Sequence, residues 1–78
     1  MKKLLYFTAS WCSPCRALGP IMDSLDFPIE KIDVDSNKDT VMQYGVKNIP
    51  TIILIDGSEK GRLVGNQSKQ AVINLWNN

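Results

Sequence analysis

Histidine is absent from this chain of 78 residues, and cysteine occurs only twice. Without histidine there is no Cys–His pair of the kind that activates a nucleophilic sulfur. A zinc site would have two sulfurs and no imidazole, although zinc normally takes four ligands, mostly nitrogen or sulfur. The net charge is only +1, and no long basic or acidic run is present. We therefore expect neither nucleic acid nor a membrane surface to be the main partner.

Long apolar runs are also missing, and none approaches the roughly 20 residues of a membrane span. The chain starts with Met1-Lys2-Lys3 and a six-residue apolar run, 4–9, which resembles a signal peptide. That run includes Thr8 and is shorter than the usual signal core of about 7 to 15 residues. We therefore expect a strand here and a cytoplasmic protein. A chain of this length has room for one core, which predicts a single domain over 1–78.

Apolar patterning predicts the element order βαβαββα and an α/β fold. A period of two or a short apolar run predicts strands, and apolar spacings of three and four predict helices. Asp56-Gly57 is a strong hairpin signal between the last two strands. We expect a four-stranded mixed sheet flanked by three helices. The predicted strands cover 4–7, 29–35, 51–55 and 59–64, and the helices cover 13–25, 38–44 and the segment after Ser68.

The two cysteines, Cys12 and Cys15, lie two residues apart at the start of the first predicted helix. This spacing allows both sulfurs to meet across one helical turn and to form a reversible disulfide. Unpaired N–H groups and the helix dipole favour a negative charge at a helix start. We expect Cys12 to be the more exposed sulfur and to have the lower pKa, and the thiolate is the attacking species. Inert buried thiols and half of a metal site are the alternatives.

Five short motifs make the chain from Leu4 onwards similar to the thioredoxin family, without the usual first strand and helix of that family. They occur in the same order and spacing as in the family. They are Trp11-Cys12-Ser13-Pro14-Cys15, where the family has W-C-G-P-C, then Pro20, Tyr44-Gly45-Val46, Ile49-Pro50-Thr51 and Val64-Gly65.

The resemblance implies a dithiol–disulfide oxidoreductase. Cys12 would attack a disulfide of a protein substrate, and Cys15 would then resolve the mixed disulfide. It implies a cis Pro50, no bound cofactor, and a separate reductase or a small thiol as the electron donor. We expect a monomer. The implied substrate groove consists of Trp11, Val34, Ile49, Pro50, Val64 and Gly65.

Three residues depart from the family pattern. Ser13 replaces a glycine, Thr8 stands where a second tryptophan is common, and Tyr6 stands where thioredoxins usually bury an aspartate behind the second cysteine. A phenol is a poor base at neutral pH, because its reference pKa is about 10. We therefore expect Cys15 to lose its proton to water or to an exposed group. Lys31 matches the lysine that usually neighbours the missing aspartate.

Two other functions remain compatible with the sequence. A glutaredoxin-like enzyme that uses glutathione would also fit the size, although the tryptophan before Cys12 and the absence of a C-P-Y-C site favour thioredoxin. A binding module could instead dock a partner protein in the groove, with the redox chemistry incidental. Loss of biological activity on replacing both cysteines would exclude that second function.

Overall fold

The order of the elements and the four-stranded mixed sheet agree with the sequence prediction. The computed structural model describes residues 1–78, and its elements follow the order βαβαββα. Four strands form one sheet in the spatial order β2-β1-β3-β4, with β1 and β2 parallel and the other two pairs antiparallel. The elements are β1 (Lys2–Thr8), α1 (Ser13–Asp23), β2 (Ile29–Asp33), α2 (Lys38–Tyr44), β3 (Thr51–Asp56), β4 (Ser58–Val64) and α3 (Lys69–Trp76).

Two elements end earlier than the sequence predicted, and in both cases a side chain bonds to nearby backbone. The predicted end of β2 at Asp35 is wrong, because the Asp33 carboxylate accepts the N–H of Asp35 at 3.1 Å and turns the chain. Aspartate commonly forms such turns. The helix α1 ends at Asp23 rather than at Leu25. The hydroxyl of Ser24 donates to the Ile21 carbonyl at 2.7 Å at this end.

The core lies on both faces of the sheet because side chains alternate along each strand. On one face, four strand residues pack against α1 and α3 through Leu18, Met22, Val72 and Leu75; they are Leu4, Tyr6, Ile52 and Leu54. On the other face lie Leu5, Phe7, Ile32 and Ile53. No helix has the length and apolar character needed to cross a membrane.

The second face is covered by α2, a short helix that has no buried residue of its own, together with apolar side chains from outside the helices. Val41 and Tyr44 are partly buried against this core, and the Tyr44 ring meets Phe7 edge-on with centroids 6.1 Å apart. Gly45 ends the helix with a φ of 63°, in the left-handed region that glycine adopts easily. The attachment of α2 to the sheet therefore depends on few contacts.

Arg62 on β4 supplies one of those contacts. Its guanidinium donates to the Tyr44 carbonyl at 2.8 Å and to the two carboxylate oxygens of Glu59 at 2.7 Å. The hydrogen bond from Arg62 lowers the pKa of the Glu59 carboxyl, and the same bond raises the pKa of Arg62. The last turn of α2 is thereby linked to the edge strand β4.

Candidate active site

Cys12 is the N-cap of α1, the residue whose side chain satisfies a free N–H at the helix start. Its backbone is extended, and its Sγ accepts the N–H of Cys15 at 3.2 Å. An oxygen of serine, threonine, asparagine or aspartate normally occupies this position. The Cα atoms of Cys12 and Cys15 are 5.3 Å apart, and the two sulfurs form a disulfide. The structure therefore shows the oxidised form of the predicted pair.

The predicted difference in exposure between the cysteines is absent in this disulfide form, since each residue is 4% exposed. Their surroundings differ instead. The Sγ of Cys12 lies at the helix N-terminus, 3.9 Å from the Ile49 carbonyl oxygen. Cys15 lies one turn further along, and Ala9 joins both cysteines in a small buried cluster. In the reduced form, the Cys15 N–H and the helix dipole would favour a thiolate on Cys12.

The Ile49–Pro50 peptide bond is cis, as the resemblance predicted. The Pro50 carbonyl accepts the N–H of Gly65 at 2.8 Å, and the Thr51 hydroxyl donates to the Asn48 carbonyl at 2.6 Å. Neither the N–H nor the carbonyl of Ile49 forms a hydrogen bond with other backbone groups. One residue beside the cysteines therefore has both backbone groups available.

An apolar cavity of about 170 Å³ lies next to the cysteine pair. Trp11 is 63% exposed, and its indole Nε1 donates to an Asp35 carboxylate oxygen at 2.7 Å. Three of the six predicted groove residues line the cavity, and three further residues complete it. The lining residues are Trp11, Val34 and Ile49, with Val41, Val46 and Lys47.

The other three predicted groove residues lie outside this cavity. Pro50 is buried, and Val64, at the end of β4 opposite Thr51, is 51% exposed. Gly65 follows with a φ of 87°. The structure therefore divides the predicted groove into a cavity lined by Trp11 and a second surface next to Pro50.

Four residues of this region have no functional signal in the sequence; they are Val41, Val46, Lys47 and Asp35. Val41 and Tyr44 are three residues apart on α2, a spacing that indicates an inward-facing pair, but nothing local relates Val41 to Trp11. Val46 belongs to a family motif but has no assigned role there, and Lys47 has the pattern of an ordinary solvated charge. Asp35 carries no sequence signal for its bond to Trp11, because it lies 24 positions further along the chain, after a helix and a strand.

Tyr6 lies behind the cysteines and is 3% exposed. Its hydroxyl donates to the Cys15 carbonyl at 3.3 Å. The buried polar residues otherwise comprise Thr8 and Thr51. Lys31, the Cα partner of Tyr6 on β2, is exposed. No group of three or more His, Cys, Asp or Glu side chains is arranged to hold a metal ion.

Comparison with known proteins agrees with this geometry. The family model described as Thioredoxin matches residues 1–78. The chain belongs to the thioredoxin family. Thioredoxin from Chlamydia pneumoniae is 44% identical over 80 residues, which cover 95% of this chain and 78% of that protein. Thioredoxin from Bacillus subtilis is 40% identical over 78 residues, covering 91% of this chain and 75% of that protein.

Solved thioredoxins have the same fold. A variant thioredoxin from Halobacterium salinarum superposes with a TM-score of 0.86 at 37% identity, over 95% of this chain and 70% of that one. Thioredoxin from Fasciola hepatica gives 0.85 at 30% identity, over 95% and 77%. With a cysteine pair in C-x-x-C spacing and at disulfide distance, this thioredoxin-family chain is a dithiol–disulfide oxidoreductase.

Gly65 and Gly19 form a matched pair for testing the backbone next to Pro50. A Cβ added at either glycine would meet nothing within 4 Å, but only Gly65 has a positive φ. We expect Gly65→Ala to lower the free energy of unfolding by about 1–2 kcal/mol, because left-handed backbone is strained for other residues. Gly19→Ala, inside α1, should raise it by up to about 1 kcal/mol. Urea unfolding measures both, and a stabilised Gly65→Ala protein would contradict the expectation.

Proposed function

We propose that the protein reduces disulfides of partner proteins by binding an extended segment of the partner across Ile49. The observation that carries the proposal is the position of the Cys12 sulfur, 3.9 Å from the carbonyl of a residue whose backbone groups are unpaired. An extended segment can add to such backbone as a strand does, so that main-chain hydrogen bonds supply affinity. This recognition needs no particular substrate sequence.

The reaction follows from the order of the two sulfurs along α1. The Cys12 thiolate attacks one sulfur of the substrate disulfide and forms a mixed disulfide, and the other substrate sulfur leaves as a thiolate that takes a proton from water. Cys15 then attacks the Cys12 sulfur, the second substrate sulfur leaves, and the Cys12–Cys15 disulfide remains. Two electrons have passed to the substrate. No bound cofactor takes part in these steps.

The predicted groove residues have two roles in this proposal. The cavity beside Trp11, Val34 and Ile49 accepts an apolar side chain of the substrate next to its cysteine. Pro50, Val64 and Gly65 support the other side of the bound segment, where Val64 offers exposed apolar surface. Lys47 and Asp35, both exposed, add one charge of each sign near the cavity.

Trp11→Ala tests the groove. We expect its KM for a disulfide-containing peptide to rise about tenfold, because about 1.4 kcal/mol of apolar contact is removed. The rate with a small disulfide such as bis(hydroxyethyl) disulfide should change little, since that molecule does not fill the cavity. Met42→Ala is the control, because Met42 is 79% exposed and lies outside the cavity. An equal loss with both substrates would place Trp11 in the chemistry of Cys12 and reject its binding role.

We further propose that the electron donor is a protein reductase and that the protein acts as a monomer in the cytoplasm. Cells keep dithiols reduced in that compartment. Glutathione is the competing donor, as in a glutaredoxin-like enzyme. Recycling of the oxidised protein by NADPH and thioredoxin reductase, but not by glutathione with glutathione reductase, is the expected result. The reverse preference would assign the protein to the glutathione system.

A further inference from the structure

The second cysteine must lose a proton before it can attack, and the buried side of the site offers no acceptor for that proton. Tyr6 on β1 is the only buried titratable side chain on the elements around the cysteines. The other titratable residues there are exposed or half-buried; they are Lys2 and Lys3 on β1, Arg16 and Asp23 on α1, Glu30, Lys31 and Asp33 on β2, Asp35 after it, Lys47 before β3 and Asp56 on β3. The chain has no histidine, and no carboxylate or amine is among its buried residues.

Tyr6 is a poor proton acceptor for two reasons. A phenol already carries its proton at neutral pH, because its reference pKa is about 10. The hydroxyl proton of Tyr6 is also engaged, because it is donated to the carbonyl oxygen of Cys15 at 3.3 Å. This bond joins the centre of the sheet to the first turn of α1. The contact is therefore suited to holding Cys15 in place.

We infer that Tyr6 positions Cys15 without exchanging protons with it, and that the Cys15 proton goes to the departing substrate sulfur rather than to water or an exposed group, the acceptors expected from the sequence. The inference rests on the proposed function, because it concerns the second step of that reaction. The Cys15 S–H bond and the disulfide bond to the substrate break. The Cys12–Cys15 bond and the substrate S–H bond form. Sulfur, hydrogen and electrons balance without another reactant.

This route makes the pH dependence of the second step a property of the substrate. A basic aliphatic thiolate can take the Cys15 proton as it departs, so the rate should depend little on pH. An acidic aromatic thiolate cannot take it, and Cys15 must then ionise to solvent first. With such a leaving group, the rate of the second step should rise about tenfold per pH unit at pH values below the pKa of the Cys15 thiol.

Stopped-flow single turnovers separate the two steps. Reduced protein is mixed with excess nitrobenzoate disulfide, whose thiolate absorbs visible light. The first thiolate released reports the attack by Cys12 and depends on reagent concentration, whereas the second reports the attack by Cys15 and does not. With bis(hydroxyethyl) disulfide, acid quenching and mass spectrometry follow the decay of the mixed disulfide. From about pH 5 to pH 7, we expect the rate of the second step to rise steeply with pH for the aromatic disulfide and to stay nearly constant for the aliphatic disulfide.

Tyr6→Phe removes only the hydroxyl and tests the positioning role. We expect the second step to slow by about two- to tenfold at every pH, the range for one neutral hydrogen bond, with both slopes unchanged. The first step should keep its rate, which a general loss of structure would not allow. Tyr6→Asp places a carboxylate behind Cys15 and should flatten the aromatic profile.

Four results would overturn the inference. A steep profile with the aliphatic disulfide would show that the departing sulfur takes no proton. An aromatic profile that is flat in the native protein and steep in Tyr6→Phe would make Tyr6 the acceptor. An unchanged second step in Tyr6→Phe would remove its positioning role. A slope that changes only in Asp35→Asn would assign the proton to Asp35. Failure of the proposed function is distinguishable, because the native protein would then not reduce a disulfide-containing protein, whereas both releases of thiolate from the small disulfide would remain.

Discussion

Cys12→Ser is expected to abolish disulfide reduction, with a loss of at least about a thousandfold, because a neutral hydroxyl replaces the thiolate that attacks the substrate. The hydroxyl keeps a hydrogen-bond acceptor at the N-cap, so the start of α1 should persist. The remaining Cys15 lies in the first turn and is 4% exposed. Reduction of a disulfide-containing protein such as insulin measures the loss, and circular dichroism verifies the fold.

Cys15→Ser is the matched control, since it makes the same change of atom at the other position. Cys12 can still attack, but nothing resolves the product, so a mixed disulfide with the substrate should accumulate and be visible by mass spectrometry. In the reduced native protein, iodoacetamide should label Cys12 before Cys15 near neutral pH. If the Cys12→Ser protein formed a mixed disulfide with the substrate, or if iodoacetamide labelled Cys15 before Cys12, Cys15 would be the attacking cysteine and Cys12 the resolving one.

The oxidised protein is expected to resist urea better than the reduced protein, by about 2 kcal/mol in the free energy of unfolding. Cys12 and Cys15 close a ring of four residues, and such a cross-link removes conformational entropy from the unfolded chain. With the slopes usual for small proteins, the midpoints should differ by about 1–2 M urea.

The sign of this difference indicates the direction of electron flow. If folding favours the disulfide over the dithiol, linkage makes the folded protein a better reductant than its unfolded chain. A folded state that stabilises the Cys12 thiolate more strongly would reverse the order of the midpoints, as in an oxidant. Urea unfolding of the oxidised and the reduced protein at several pH values distinguishes a reductant from an oxidant. A reduced form that is more stable than the oxidised form would reject the reductant assignment.

Much of the fold follows from local patterns. The short apolar run of β1, the β-branched run of β3 and the Asp56-Gly57 turn predicted the sheet, and the spacing of Leu18 and Met22 predicted the inward face of α1. The element ends were less predictable, because the side-chain bonds of Asp33 and Ser24 compete with continued strand or helix. A propensity pattern does not report such bonds.

The candidate site, like the fold, could be predicted only in part from local sequence patterns. The spacing of Cys12 and Cys15 indicates redox chemistry by itself, whereas the cis Pro50 followed only from the family resemblance. The bond between Trp11 and Asp35 and the position of Val41 depend on where the end of β2 and the helix α2 lie relative to the segment before α1 that carries Trp11. Contacts of this kind arise from tertiary packing, so no local pattern contains them.

The sparse attachment of α2 has a consequence for the range of substrates. Ile49, which leads into the central strand β3, lines the cavity. Val41 also lines it and lies on α2, a helix without a buried residue whose last turn is held by Arg62. Regions with few buried contacts open at a lower free energy than the core. We therefore expect the part of the cavity formed by α2 to adjust more readily than the part next to β3, so that substrate side chains of different shape would fit without displacement of the Cys12 sulfur.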